Sequence, residues 1–166
     1  KDINKLNENI FYQYKIPKGR GDISKIKIKR KIIKFIDESY NANPLSMKSA
    51  INNMKHYERK GNMKKIAFLG DMLELGKKSK KFHRKLSNVI NNSDVDKVFV
   101  YGNHIKETFN RLSKNKRGMI FANFNEAYNY LGKILNNNDL LMIKGSNATG
   151  LNKFSKNIKK EQISAL

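Results

Sequence analysis

The feature that most constrains the fold is a regular alternation of short apolar runs with amphipathic stretches. From residue 64 onwards, an apolar run is followed four times by a segment whose apolar residues recur at three- and four-residue spacing. Such runs are typical of buried strands, and such spacing is typical of helices with one apolar face. Strands that alternate with helices form a mostly parallel sheet covered by helices on both faces. The sequence therefore predicts a three-layer α/β domain.

The same pattern indicates where the elements lie. Strands are expected at residues 23–29, 31–37, 64–71, 96–102, 118–124 and 139–146. The first two are joined tightly at Arg30, which indicates a hairpin, and the first helix after them is expected to begin at Pro44. Residues 1–14 also have a helical pattern, which the proline and glycines of residues 15–22 interrupt.

Composition narrows the class of protein. The 166 residues are enough to bury a core, and the lack of cysteine excludes disulfides, thiolate nucleophiles and cysteine zinc sites. No apolar run approaches the roughly 20 residues that cross a bilayer. The first ten residues have no apolar core of a signal peptide. We therefore expect a cytoplasmic location and no membrane partner.

The formal net charge of +21 suggests a second hypothesis, a basic nucleic-acid-binding α/β domain. Of the 35 cationic residues, however, 29 are lysine, whereas contacts to bases and phosphates favour arginine. The lysines are also spread through every segment instead of forming one block. A solvated, lysine-rich surface is the favoured interpretation, and nucleic-acid binding is kept as the alternative.

Polar segments follow the predicted strands, with the sequences "DESYNANP" (37–44), "GDMLELG" (70–76), "YGNH" (101–104) and "KGSNATG" (144–150). The carboxyl ends of parallel strands meet at one edge of a sheet, and ligands of such sheets bind there. The chain has neither the G-x-G-x-x-G pattern of dinucleotide sites nor the G-x-x-x-x-G-K-[ST] pattern of a P-loop. The sequence thus predicts a ligand site at this edge without either phosphate-binding fingerprint.

The first of these segments allows two interpretations. Asn43 and Pro44 have the chemistry of a helix N-cap and a first helical residue, so a well-capped helix explains both. Capping does not explain Asp37 and Glu38, whose like charges repel at a strand end unless a cation or ligand hydroxyls share them. Helix cap and ligand site are both retained for this segment.

Single residues near the other strand ends also have a structural and a functional interpretation. Asp71 is either a turn former or a ligand group, and His83 either packs near a helix start or contacts a ligand. Lys144 and Ser146 suit an anion, or they form an ordinary strand-to-helix turn. Arg20, between two glycines, is either a phosphate contact or part of a surface turn. The histidines lack zinc-like spacing, so no metal site is assigned from them.

The order of the motifs resembles one family. The stretches "PKGRG", "IDESYNANPLSM", "AFLGDMLELG", "KFHRKL" and "LLMIKGS" follow one another as in the carboxyl-terminal part of the Mur ligases that join D-alanyl-D-alanine to a UDP-N-acetylmuramoyl-tripeptide. The resemblance runs from about Pro17 to the last helix, and the pairing of "SYNANP" with "GDMLELG" is its most specific part. It implies a Rossmann-like carboxyl-terminal domain over residues 23–166. Residues 1–22 would be the end of a central ATP-binding domain and a linker.

The resemblance also implies a reaction. Ligases of this family use ATP and magnesium to form an amide bond in the cytoplasm, as a step of peptidoglycan precursor synthesis. The tripeptide carboxylate first becomes an acyl phosphate, and the amine of D-alanyl-D-alanine then attacks it. The carboxyl-terminal domain closes over the central domain and so excludes water. Because the P-loop belongs to the missing central and N-terminal domains, the chain alone is expected to be inactive.

On the nucleotide side, the family's roles transfer to five positions. Arg20 matches an arginine near the ATP phosphates, where it offsets developing charge. Asp37 and Glu38 match an acidic pair that faces ribose hydroxyls or the magnesium shell, although the family more often has Asp at the position of Glu38. Tyr40 and Asn41 match the adenine side.

On the substrate side, the resemblance assigns the positions Asn43, Asp71, His83 and Ser146. Lys144 is expected to pair with a carboxylate of D-alanyl-D-alanine or of the tripeptide. The family commonly has Arg after "KGS", whereas this chain has Asn147. A second cation at that point is therefore not expected.

Overall fold

The computed structural model describes residues 19–165, with side chains for residues 19–160. Its strands are β1 (Asp22–Ile28), β2 (Lys31–Glu38), β3 (Lys65–Gly70), β4 (Lys97–Tyr101), β5 (Arg117–Ile120), β6 (Leu140–Lys144) and β7 (Gln162–Ala165). Its α-helices are α1 (Pro44–Asn53), α2 (Ser79–Asn91), α3 (Lys106–Phe109), α4 (Phe124–Ile134) and α5 (Leu151–Ile158). Single 3-10 turns lie at Met54–His56, Gly76–Lys78, Lys114–Lys116, Asn147–Thr149 and Lys159–Glu161. The helical pattern of residues 1–14 falls outside the described residues. No helix in the described part is long and apolar enough to cross a membrane.

The strands form one sheet in the order β5-β4-β3-β6-β2-β1-β7. The five strands from β5 to β2 are parallel, and β1 runs antiparallel to both of its neighbours. Ile28 pairs with Lys31, so Lys29 and Arg30 form the two-residue turn of the expected hairpin. Lys29 adopts a positive φ of 56°, as such turns require. The mostly parallel α/β fold and the hairpin are both confirmed.

Helices cover both faces of the sheet and make two separate cores. On one face α1 and α2 contribute Met47, Ile51, Leu86 and Ile90. On the other face α4 and α5 contribute Ala127, Leu131, Leu151 and Phe154. Every residue of β3 is buried, which explains why this strand is a continuous apolar run in the sequence.

Helix α1 begins where the sequence predicts. The Asn43 side chain accepts a hydrogen bond from the Ser46 amide at 2.8 Å, and the Ser46 hydroxyl accepts one from the Asn43 amide at 3.0 Å. This reciprocal pair is a capping box, and Pro44 occupies the first turn. The cap interpretation of Asn43 and Pro44 is confirmed.

Two elements differ from the sequence-based expectation. The apolar spacing from Ile105 to Leu112 predicts a longer helix, but α3 is a single turn. After Phe109 the backbone continues in tighter turns up to Leu112, and the Arg117 side chain binds the carbonyls of Asn110 and Leu112. Strand β7 was not predicted, because four residues paired with a strand over 130 positions away leave no local periodicity.

Candidate functional site at the carboxyl edge of the sheet

The connections of the sheet leave a crevice at the carboxyl ends of its central strands. The chain leaves β2 and β3 towards helices on one face, but it leaves β6 towards α5 on the opposite face. Because β6 lies between β2 and β3, these loops part from one another and open a crevice. The crevice holds two adjoining clefts of about 610 and 640 Å³, which share Tyr40, Asn147 and Asn152. The edge predicted from the sequence is therefore where these two clefts lie.

The first of these clefts, cleft A, has an aromatic wall and a basic wall. Gly19, Ser39 and Tyr40 form one side. The other side carries Asn152, Lys156 and Lys160, and Lys159 lies at the base together with Asp22 and Asp37. An aromatic ring opposite ammonium groups suits a ligand that combines a planar ring with negative charge.

Arg20 lies above the ring of Tyr40, which lines both clefts. Its guanidinium carbon lies 4.5 Å from the ring centroid, in cation–π geometry, and Tyr40 is 47 % exposed. The Tyr40 amide donates to the Gly19 carbonyl at 3.0 Å. A Cβ on Gly19 would lie 3.1 Å from the Tyr40 nitrogen, so the turn can approach this closely because it has a glycine there. The fold thus brings Arg20 and Tyr40 together with their functional groups facing solvent.

Asp37 and Glu38 point to opposite faces of the sheet, as neighbouring strand residues do. Asp37 is buried and binds Lys159 at 2.7 Å, whereas Glu38 binds Lys144 at 3.2 Å. From the sequence, such a pair is expected to share a cation or ligand hydroxyls. In the structure the two carboxylates do not share one cation. Each has a lysine of its own.

The environment of Asp37 keeps its side chain ionised. Burial tends to raise the pKa of this carboxyl, but the hydrogen bonds from Lys159 and Ser39 outweigh burial and hold the pKa below its usual range. The Ser39 hydroxyl donates to Asp37 at 2.6 Å, and the Ser39 amide donates at 3.1 Å. Asp37 reaches cleft A, but its oxygens are already engaged within the chain.

Lys144 ties the end of β6 to the loop after β2. Its side chain is 2 % exposed, and its ammonium group donates to the Asn41 carbonyl at 2.9 Å and to Glu38. Burial lowers the pKa of Lys144, although the Glu38 carboxylate acts in the opposite direction. Lys144 lies behind the clefts and does not line them.

Ser146 joins the loops that follow three strands. Its hydroxyl donates to the Ala42 carbonyl at 3.2 Å and accepts from the Leu73 amide at 2.9 Å. Its amide donates to the Asp71 carbonyl at 3.0 Å. Ser146 also lines the second cleft, cleft B, whose other lining residues include Asn41, Glu74 and Lys153.

Asp71 organises the loop after β4. Its carboxylate accepts from the Ile105 amide at 2.7 Å and from the Asn103 amide at 3.1 Å. The close approach requires Gly102, which has φ 134° and whose added Cβ would lie 2.5 Å from an Asp71 oxygen. Asp71 also lines a third cleft of about 360 Å³, further along the same edge.

His83 is fully buried inside α2, at 0 % exposure. Its Nε2 accepts from the Met72 amide at 3.0 Å. Because an amide can only donate, Nδ1 carries the proton and donates to the Ser79 carbonyl at 2.9 Å. Burial lowers the pKa of His83, so the ring is neutral at pH 7.

The remaining predicted residues separate into two groups. Asn41 is exposed and lines cleft B, and its side-chain oxygen accepts from the Ala42 amide at 2.7 Å. Asn43, Lys144 and His83 do not line any of the three clefts. Tyr40, Asn41 and Arg20 are therefore the predicted residues with free access to a ligand, and the others support the backbone around them.

Residues 19–160 do not present a magnesium site. Within this part of the chain, no three His, Cys, Asp or Glu side chains come together as metal ligands. Asp37 and Glu38, the two carboxylates considered for the magnesium shell, each bind a lysine instead. Among the described side chains, both carboxylates are thus engaged by lysines, and no further acidic or histidine ligand completes a cluster with them.

Sequence reasoning missed the basic wall of cleft A. In a chain with 29 lysines, a single lysine carries no signal. The spacing of Lys153, Lys156 and Lys160 by three and four residues did place them on one face of the last helical segment, next to the "KGSNATG" loop. This helical spacing is the one signal in the sequence that indicates a basic surface beside the loop.

Comparisons with known proteins agree with this architecture. Residues 24–147 match the family model "Mur ligase, glutamate ligase domain". The UDP-N-acetylmuramoyl-tripeptide–D-alanyl-D-alanine ligase of Rickettsia prowazekii is 30% identical over 153 residues, which cover 92% of this chain and 32% of that protein. The ligase of the same name from Bacillus subtilis is 44% identical over 70 residues, 42% of this chain and 15% of that protein.

A solved structure shows the same fold. The MurF ligase from Thermotoga maritima, crystallised in complex with ADP, superposes with a TM-score of 0.73 at 24% identity, over 90% of this chain and 32% of that one. The chain spans about a third or less of the length of these relatives.

Proposed function

Since this chain belongs to the Mur ligase family, we propose that it is the carboxyl-terminal, closing domain of an ATP-dependent ligase that adds D-alanyl-D-alanine to a UDP-N-acetylmuramoyl-tripeptide. The observation that carries the proposal is that a relative with this activity in its name matches 92% of the chain. The reaction would serve peptidoglycan precursor synthesis in the cytoplasm. The domain's partners would be the central and N-terminal domains, which supply the P-loop.

Cleft A is the nucleotide side of the proposed site. The MurF ligase from Thermotoga maritima, which has the same fold, holds ADP, and cleft A combines an aromatic ring with cations. ATP supplies the phosphoryl group that activates the tripeptide carboxylate. Arg20 lies beside Tyr40, and its exposed guanidinium can offset charge that develops on the phosphates. Tyr40 offers its exposed ring to the adenine, and closure on the central domain would exclude water.

Cleft B is the substrate side of the proposed site. Asn41 and Ser146 line it, and Asn41 offers an exposed amide to a peptide. Lys144 supports this wall through the Asn41 carbonyl. A substrate carboxylate would reach the Lys144 ammonium group only by displacing Glu38. Asp71 and His83 act on the clefts through the backbone amides that they bind.

Arg20 gives the sharpest test of the proposal. In the full-length ligase that contains this domain, Arg20→Ala should lower kcat about 100-fold or more, because it removes a cation from the charge-developing region. ADP release would be measured with ATP, D-alanyl-D-alanine and a tripeptide precursor that carries either lysine or diaminopimelate. The matched control is Arg30→Ala, at the exposed β1–β2 turn on the opposite edge of the sheet.

Two results would contradict the proposal. Wild-type kinetics in the Arg20→Ala enzyme would remove the arginine from the site. ADP release that requires a single amino acid in place of D-alanyl-D-alanine would show that the ligase has a different acceptor.

A further inference from the structure

Lys159 is a cation that the fold places between two carboxylates at the base of cleft A. It belongs to the 3-10 turn after α5, and its side chain is only 15 % exposed. The ammonium group binds Asp37 at 2.7 Å and also binds Asp22. It also lies 5.7 Å from the centre of the Phe35 ring. None of the motifs in the sequence points to this lysine.

The two carboxylates need this cation. Asp22 and Asp37 are directly opposite each other in the antiparallel pair of β1 and β2, and like charges in that position repel. Burial lowers the pKa of Lys159, but hydrogen bonds to Asp22 and Asp37 outweigh burial and raise it above the usual range. The lysine therefore stays charged and neutralises the pair.

The same network holds the turn that carries Arg20. The second oxygen of Asp22 accepts from the Gly19 amide at 2.8 Å, and the Asp37 carbonyl accepts from the Gly21 amide at 2.7 Å. The amides on both sides of Arg20 are thus bound to the two residues that Lys159 joins. Gly19 and Gly21 have φ angles of 80° and 93°, which few other residues adopt without strain.

We propose that Lys159 is a positioning residue that holds Arg20 over Tyr40, through Asp22, Asp37 and the turn between them. The inference rests on the proposed function only for its kinetic consequence, since the geometric link is a property of this chain. Without Lys159 the two carboxylates repel, Asp22 turns to solvent, and the Gly19 amide loses its acceptor. Arg20 then samples orientations away from the ring.

Nuclear magnetic resonance measures this geometry directly in the 166-residue chain. Side-chain protons above an aromatic ring resonate upfield, so the side-chain resonances of Arg20 report its contact with Tyr40. The chain has only six arginines, and Arg20→Lys identifies the signal. In Lys159→Met the Arg20 resonances should move to the position of a free arginine, whereas Lys85→Met, at an exposed lysine of α2, should leave them unchanged.

Two further variants keep the test decisive. Lys159→Arg retains the charge and should retain much of the upfield shift. If Lys159→Met fails to fold, Asp22→Ala replaces it, because this change removes both the carboxylate that pairs with Lys159 and the acceptor of the Gly19 amide. That variant should release Arg20 in the same way.

Kinetics in the full-length ligase test the functional consequence. Lys159→Met should lower kcat roughly 10–100-fold, as displacement of a catalytic group by about 1 Å does. The double variant with Arg20→Ala should be no slower than Arg20→Ala alone, because both changes remove one interaction. Lys159→Arg should recover part of the rate.

The outcomes separate the two proposals. Unchanged Arg20 resonances in the Lys159 and Asp22 variants would overturn the positioning role. A rate loss from Lys159→Met that persists in full in the Arg20→Ala background would also overturn it, because the effect would not pass through Arg20. Released resonances together with wild-type kinetics for Arg20→Ala would support the positioning role and contradict the proposed function of the arginine.

Discussion

His83 should make the stability of this domain fall as pH is lowered. The ring is buried in its neutral form, with Nε2 accepting from the Met72 amide at 3.0 Å. A proton on Nε2 would place one donor against another, so the folded state resists protonation. Nearby charges do not remove this effect, since Asp71 and Glu107 favour the proton, His104 disfavours it, and burial is the largest cause of the lowered pKa.

The direction and size of this change in stability follow from the difference in proton binding between the folded and unfolded states. Above the unfolded-state pKa of about 6.5, neither state binds the proton and the full stability is present. Below it the unfolded chain binds a proton that the folded chain does not, so the free energy of unfolding falls by up to about 1.4 kcal/mol per pH unit. The loss stops at the lowered pKa of the folded state. Between about pH 7.5 and 5.5, His83 should therefore cost the domain up to about 1.4 kcal/mol.

Urea unfolding followed by circular dichroism at several pH values would measure this loss. His83→Gln removes the titrating group, so its free energy of unfolding should depend less on pH across the same window. It should also be lower at about pH 7.5 by roughly 1–3 kcal/mol, because the glutamine amide cannot span both the Met72 amide and the Ser79 carbonyl as the ring does. The control is His56→Gln, a substitution at an exposed histidine that should keep the wild-type pH dependence.

Equal pH dependence in the wild type and in His83→Gln would refute this reasoning. It would mean that the ring takes up its proton equally well in both states. The hydrogen bond to the Met72 amide could not then be what holds the loop after β3.

Two further substitutions test the framework of the clefts. Gly102→Ala should lower the free energy of unfolding, measured in urea, by roughly 2 kcal/mol or more, because the residue has φ 134° and the new Cβ would press on Asp71. The control is Gly61→Ala, where φ is also positive but nothing lies within 4 Å of the new Cβ. It should lower the free energy of unfolding by only about 1 kcal/mol. Equal losses would show that the Asp71 contact is not the cause. Ser146→Ala should lower the free energy of unfolding by about 1–3 kcal/mol, because the Leu73 amide loses its acceptor. The control is Ser113→Ala, at an exposed serine, which should change the free energy of unfolding by no more than about 0.5 kcal/mol. A loss as small as that of the control would show that the three loops do not depend on this hydroxyl.

Much of the fold could be predicted because it rests on local periodicity. The strand and helix runs, the hairpin at Arg30 and the cap at Asn43 each depend on residues within a few positions of one another. The edge of the sheet that holds the clefts could also be predicted, since the carboxyl ends of parallel strands must lie together. The single turn of α3 could not, because the carbonyls of Asn110 and Leu112 bind the side chain of Arg117, a contact that local apolar spacing does not reveal.

The site residues likewise divide into those that the sequence could identify and those whose partners are distant in the chain. The sequence alone determined which segments meet at the cleft, and the family resemblance pointed to Arg20, Tyr40 and Asn41, which the structure leaves accessible. The tertiary structure decided which charges pair. Lys144 meets Glu38 across 106 positions, and Lys159 meets Asp22 across 137.

Those pairings follow from the strand order, in which β6 lies between β2 and β3, and from the return of α5 over β6 and β1. Local spacing carries no information about that order. A carboxylate that looks like a ligand group in the sequence, such as Asp37, can therefore be satisfied by one of many lysines once the chain has folded. The physical reason is that burial requires every charge to find a partner, and only the packed structure says which partner is within reach.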